Sequence, residues 1–274
     1  MRFEIWVLEF LFLDLSASEG VVSQTIQVLY SDAAVLAVNK PPGLAVHEAP
    51  GRGRSLLREL REQGMADLRP VHRLDKDVSG VLLLARSPEA ARALERRWGE
   101  VEKTYFVLCH GAPPERTGVI SAPILENQTG KPERLRRALA HYMKQHPAAQ
   151  VPPLPAPKTS AVHPAGRSAQ TAYKVIETFT PAQELPRFSW LEVRPRQGRM
   201  HQIRVHLAHI GCSIVGDKLY GTKEAEEAWG LGRLALHAGR LVFPNPAGPE
   251  ERITVVAPLA EDLAAALERL RARR

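Results

Sequence analysis

Four strand-like stretches, residues 169–179, 188–194, 234–243 and 253–256, follow one another with hardly a helical pattern between them. Parallel neighbours need a crossover of a dozen or more residues, usually a helix, so such a series folds most readily into a mixed, largely antiparallel sheet. Earlier segments supply further strands. Over residues 25–38 two apolar runs are split by Tyr30-Ser31-Asp32 and stopped by Pro41-Pro42-Gly43, which reads as a hairpin. Residues 101–109 alternate, with Lys103, Tyr105 and Val107 on one face and Thr104, Phe106 and Leu108 on the other. Helical patterns stand at the flanks. Ser55 can cap a short helix through Leu56, Leu57 and Leu60, with Gly64 as its left-handed stop. Ser87-Pro88-Glu89 starts a second, with Ala91, Leu94 and Trp98 facing inward. The last, over 260–274, turns Leu263, Leu267 and Leu270 inward and carries acids early and arginines late, as the helix dipole favours. The class is α+β.

The pattern fails between residues 127 and 162. Residues 131–144 are rich in arginine and lysine, residues 151–157 are dominated by proline, and the segment reads as an insertion or lid. Lys131, Arg134, Arg136, Arg137 and Lys144 make it either a basic arm for a phosphate backbone or a solvated loop. The whole chain has a formal charge of +7 and a pI near 9.6, a balance that favours a polyanionic partner. Two cysteines among 274 residues, Cys109 and Cys212, cannot make a disulfide framework or a four-ligand zinc site and read as buried thiols in a reducing, cytoplasmic compartment. Residues 1–15 are apolar, but Glu4, Glu9 and Asp14 interrupt them and no small-residue cleavage site follows, so no membrane partner is expected. An extra strand, a surface helix or a start codon placed too early all fit residues 1–25.

The chemistry points to Val71-His72-Arg73-Leu74-Asp75-Lys76-Asp77-Val78-Ser79-Gly80, where a carboxylate sits between cations just ahead of the strand-like run Val81-Leu82-Leu83-Leu84. Taken alone, an acidic residue among basic ones in a loop is most often a solvated salt-bridge partner, and Asp75 reads so without further signals. His206 and His209 lie one helical turn apart but bring no third metal ligand and no HExxH pattern, and no G-x-S-x-G or phosphate loop is present.

The run HRLDKDVSGVLLLAR resembles the central motif of the RluA-type pseudouridine synthases, and other matching segments stand in the same order. These are Val38-Asn39-Lys40-Pro41-Pro42-Gly43-Leu44, Lys103-Thr104-Tyr105, Gly198-Arg199-Met200-His201-Gln202-Ile203-Arg204-Val205-His206 through Gly216-Asp217, and Leu236-His237-Ala238. The likeness runs from about residue 26 to residue 263, with Val78 and Met200 standing where the family usually has threonine. It implies a pseudouridine synthase fold over 26–274, interrupted by the insertion, with residues 1–25 as an extension; the stretch before the first strand is too short for the S4-type RNA-binding domain that many of the family carry, so none is expected. The implied reaction breaks the N-glycosidic bond of a uridine, turns the uracil and rejoins it through C5, without cofactor or metal. Asp75 is then the nucleophile, at the sugar C1′ or through a glycal; Tyr105 is the active-site tyrosine; and Arg204 pairs with Asp75, keeping it ionised and oriented. The spacing of 201–209 predicts a helix with Ile203, Leu207 and Ile210 buried and Arg204 projecting away from the core. Arg73 fills the gap left by a flipped uridine or touches a phosphate, and His72 supports the loop. Free amides at Gly198-Arg199, together with Arg199, can hold a phosphate, and Lys40, His201 and Gln202 complete the substrate side. The expected partner is structured ribosomal or transfer RNA and the expected state a monomer. The rival reading is an RNA-binding or RNA-folding protein with this fold and little turnover.

Overall fold

In the computed structural model of the chain, residues 25–48, 53–128, 132–180, 187–221, 231–248 and 250–272 are described, so the N-terminal extension and Lys131 lie outside the described residues. Strands β2 (Val35–Lys40) and β4 (Ser79–Ala85) show why parts of this sequence read as unbroken apolar runs. Leu36, Val38, Leu82 and Leu84 enter one hydrophobic cluster, while Val35, Ala37, Val81 and Leu83 enter another on the opposite face. A strand covered on both sides has no polar face to alternate with.

Around this pair runs a sheet of ten strands. The remaining eight are β1 (Gln27–Ser31), β3 (Arg69–Pro70), β5 (Glu102–His110), β6 (Thr117–Ser121), β9 (Gln170–Phe179), β10 (Phe188–Pro195), β11 (Leu236–Pro244) and β12 (Arg252–Val256). Their order is β1-β2-β4-β11-β5-β10-β9-β6, with β3 beside β4 and β12 beside β11. β4 and β11 pair in parallel and the other pairs are antiparallel, which is the mixed, mainly antiparallel sheet expected from the spacing of the strands. A separate two-stranded ribbon joins β7 (Ile124–Glu126) to β8 (Ser160–Val162).

Helix α1 (Leu56–Glu62) is capped by Ser55, whose hydroxyl accepts the Arg58 N–H at 3.2 Å; α2 (Pro88–Arg96) is capped by Ser87 on the Ala90 N–H at 3.1 Å. The inward trio expected for α2 needs correction. The helix stops at Arg96, Trp98 opens a separate 3₁₀ turn (Trp98–Glu100) that leads into β5, and Ala90 with Leu94 is buried instead of Ala91. The final helix, here α5 (Glu261–Arg271), buries Leu263, Leu267 and Leu270 as its period predicts. Cys109 and Cys212 are both buried, and the Cys109 thiol donates to Ser189 O at 3.5 Å.

The insertion is more ordered than its composition suggests. It holds a helix of 14 residues, α3 (Pro132–Gln145). Leu135 is buried and Ala138, Leu139, Tyr142 and Met143 are half-buried along one stripe, leaving Arg134, Arg136, Arg137 and Lys144 exposed. The proline segment is tied down by the Asn127 side-chain amide, which donates to Pro155 O at 2.9 Å, and by His163 Nε2, 3.1 Å from Pro152 O.

Candidate active site

The Asp75 loop is held by its apolar neighbours. Leu74 and Val78 are buried in the core, so the residues between them are lifted to the rim, and the Val78 N–H closes the turn on Asp75 O at 3.1 Å. Val78 fills core space. Beyond the turn the chain passes through Gly80 at φ 109, where a Cβ would lie 2.2 Å from Ala238 O. Only glycine lets β4 approach β11 this closely. Ala238 pairs with Gly80 on one side and Tyr105 on the other, and Tyr105 pairs with Val193. One row across the sheet therefore fixes the Asp75 loop, Tyr105 and the strand that leads to α4 (Gln202–His209).

Lys40 staples the loop from beneath. Its ammonium, fully buried, donates to Pro41 O at 2.8 Å, Leu44 O at 2.8 Å and Lys76 O at 2.9 Å, one acceptor for each proton. Burial pulls its pKa down to about 7, while the charges of Asp77 and Asp75 oppose the shift. Lys40 thus supports the site from below and does not line the cavity described next. Lys40→Met should destabilise the fold by about 2–4 kcal/mol, because buried carbonyls left without donors each cost roughly 1–3 kcal/mol. Urea unfolding measures this directly; an unchanged midpoint would mean that the carbonyls find other donors.

A cavity of about 460 Å³ opens above the loop, lined among others by Arg73, Asp75, Tyr105, His201 and Arg204. Arg204 Nη1 lies 3.3 Å from Asp75 Oδ2, and His201 Nε2 lies 3.6 Å from the same oxygen. Both contacts fall on Oδ2, and among the described residues no hydrogen bond falls on Oδ1. The expectation that Arg204 projects away from the core is corrected. Helix α4 packs against β8, β9 and β10, burying every residue from Gln202 to Leu207. Arg204 is buried because Asp217 receives it, with Nε to Oδ2 at 2.8 Å and Nη2 to Oδ1 at 2.7 Å. This two-pronged pair satisfies a charge that burial alone would penalise and leaves Nη1 for Asp75. Asp217 Oδ1 is fixed in turn by the N–H groups of Leu219 and Tyr220 at 3.0 and 3.1 Å.

Tyr105 and Lys103 reach the cavity from the same face of β5. Burial, with a smaller contribution from Asp75, pushes the Tyr105 phenol well above its usual pKa, so it remains protonated. Burial also lowers the pKa of Lys103, whose ammonium lies 5.4 Å from the Trp98 ring centre. Arg73 is exposed at the cavity rim.

Other expected residues serve the scaffold. His72 does not line the cavity; its Nε2 accepts the Leu83 N–H at 2.9 Å, and burial lowers its pKa to about 3. The amides at the start of α4 are not free. The Arg199 N–H donates to Gln202 Oε1 at 3.1 Å and the Met200 N–H to Glu126 Oε1 at 2.7 Å, so these groups are capped from within the protein. Arg199 reaches the cavity but rests its guanidinium on Ser168 O at 3.3–3.4 Å. Gln202 also lines it, with its amide donating to Gln170 O and Thr171 Oγ1 at 2.9 and 3.1 Å. His206 uses both ring nitrogens, on Thr171 Oγ1 at 2.8 Å and Ala122 O at 3.0 Å. Glu126, Gln128, Lys158, Asp217 and Tyr220 belong to the site or its support without having been picked out from sequence. Asp217 lay inside a noted motif; the others carried no signal.

The family model for RNA pseudouridylate synthase matches residues 34–209. An uncharacterized RNA pseudouridine synthase of Chloroflexus aurantiacus is 38% identical over 246 residues, covering 86% of this chain and 66% of that protein. Ribosomal large subunit pseudouridine synthase C of Vibrio vulnificus is 33% identical over 255 residues, covering 90% and 70%. The protein of that name in Escherichia coli is 33% identical over 258 residues, covering 89% and 70%. This chain therefore spans about two thirds of the length of these relatives. Among solved structures, human RNA Pseudouridylate Synthase Domain Containing 1 has the same fold, with a TM-score of 0.67 and 24% identity over 93% of this chain and 98% of that one.

Proposed function

The chain belongs to the RNA pseudouridylate synthase family, and from that premise we propose that it isomerises one particular uridine of structured ribosomal RNA to pseudouridine with Asp75 as the nucleophile. The observation that carries this reading is the disposition of the Asp75 carboxylate, with Arg204 and His201 both on Oδ2 and Oδ1 unengaged beside a cavity of about 460 Å³. A carboxylate so held can attack the sugar as in glycosidases. Tyr105, with its proton retained, can stack on the detached uracil and keep it in place while it turns. A stacked uridine must leave its helix to reach the cavity, at a cost of a few kcal/mol, and Arg73 at the rim is placed to fill the gap. Ribosomal RNA is preferred over transfer RNA because the named relatives include ribosomal large subunit enzymes. Mapping pseudouridine across total RNA from a strain lacking the gene, against its parent, tests the proposal: one ribosomal position should revert to uridine. Loss confined to transfer RNA would reassign the substrate, and no loss anywhere would favour an RNA-binding protein without turnover.

The exposed face of α3 gives a second expected result. If Arg134, Arg136 and Arg137 each neutralise a phosphate, changing all three to alanine should flatten the slope of log affinity against log salt by about 2–3 units. Single-turnover rate at saturating enzyme should stay near that of the parent. An unchanged slope would make the arm a bystander.

A further inference from the structure

Three groups from separate parts of the chain form a line that ends on the Asp75 carboxylate. The Ser160 N–H donates to Tyr220 Oη at 2.8 Å, Tyr220 Oη lies 2.8 Å from His201 Nδ1, and His201 Nε2 lies 3.6 Å from Asp75 Oδ2. The direction of the middle link follows from counting protons. A phenol has one, and among the described residues His201 is the partner available to receive it, since Ser160 is itself a donor. Burial raises the Tyr220 pKa to about 12, so the proton is held. Burial lowers the His201 pKa; Arg204 and Arg73 add to this, and Asp75 and Asp217 oppose it. The ring is therefore neutral near pH 7, accepts at Nδ1 and carries its proton on Nε2, facing the carboxylate.

The backbone supports a specific role for this side chain. His201 has φ 56 and ψ 23, the left-handed region that few residues other than glycine occupy, although histidine, like asparagine and aspartate, enters it more readily than most. Strain of this kind persists where the surroundings hold a residue in place, and it gathers at active sites.

Resting on the synthase reading above, we infer that His201 is a positioning residue: its neutral Nε2–H completes, with Arg204, a two-donor clamp on Asp75 Oδ2 that leaves Oδ1 for the sugar of the target uridine. Tyr220 and Ser160 set the tautomer. The distance of 3.6 Å is slightly longer than a hydrogen bond, and contacts of this type tighten in the substrate complex. No proton is transferred by His201 in this role. Because Ser160 belongs to β8 at the end of the insertion, the same line ties the basic arm to the nucleophile.

The test uses three variants in single-turnover assays at saturating enzyme, with RNA affinity and melting temperature measured alongside. His201→Asn tolerates the left-handed backbone but is too short to reach Asp75, and the rate should fall about tenfold or more with affinity within about twofold of the parent. His201→Gln places an amide N–H near the position of Nε2 and should recover to within about threefold of the parental rate. Tyr220→Phe keeps the ring beside Arg204 but removes the proton that sets the tautomer, and should lower the rate about threefold to tenfold. A parental rate for His201→Asn overturns the inference, as does a loss seen only in RNA affinity, or a deficit that glutamine does not relieve in a protein melting like the parent. Should the glutamine variant melt lower, Tyr220→Phe decides, and a parental rate there overturns the inference. The parent is the control for the broader reading: absence of product from the parent itself would sink the synthase assignment instead.

Discussion

Asp75→Asn is expected to lower turnover by about four orders of magnitude or more, to below detection, while RNA affinity stays within about twofold of the parent. The substitution keeps the shape of the side chain and removes its capacity to attack the sugar. Little else depends on that charge. The Asp75 side chain is 27% exposed, and Arg204 retains both bonds to Asp217 when Asp75 is neutral, so no buried charge is stranded. The melting temperature should therefore hardly move, and binding should persist because phosphate contacts come from other cations. Comparable turnover by mutant and parent on the same RNA would remove Asp75 from its proposed role.

Arg204→Lys should cost on the order of 2–4 kcal/mol in transition-state stabilisation, a rate loss of roughly 30-fold to 1000-fold. The charge survives and the geometry does not. A guanidinium presents Nε and Nη2 to Asp217 and Nη1 to Asp75 at once, and a lysine ammonium cannot hold both carboxylates in that fork. Some stability should go as well, about 1–3 kcal/mol, because the Asp217 side chain is wholly buried and would keep only part of its bonding. Unchanged turnover in a normally melting Arg204→Lys protein would show that the fork does not organise Asp75.

The strands are legible in the sequence because their burial is simple. β2 and β4 are covered on both faces and read as continuous apolar runs. The position of helix α4 is legible too, but its surroundings are not. Helical period assigns Arg204 to the side away from Ile203 and Leu207, whereas Asp217, thirteen residues later, returns to bury that side with a matching charge. Helix α3 carries an apolar stripe at 135, 138, 139, 142 and 143, with Pro132 in its first turn, yet the surrounding arginines and lysines mask it. The amides ahead of α4 look free because Glu126, which caps Met200, lies 74 residues away in sequence. Local pattern reports which face of an element is apolar. It is silent on which distant polar group arrives to satisfy the other face, and for that reason the Tyr220–His201–Asp75 line has no sequence signature.

Isomerisation replaces the C5–H bond of uridine with the new glycosidic bond, so RNA carrying tritium at uridine C5 releases it to water only when pseudouridine forms. Large-subunit ribosomal RNA transcribed with this label and incubated with the purified parent should release tritium up to about one equivalent per RNA, matched by pseudouridine at one position, and Asp75→Asn should release none. Release by Asp75→Asn at the parental rate, or RNA binding by the parent without any release, would contradict a synthase that works through Asp75.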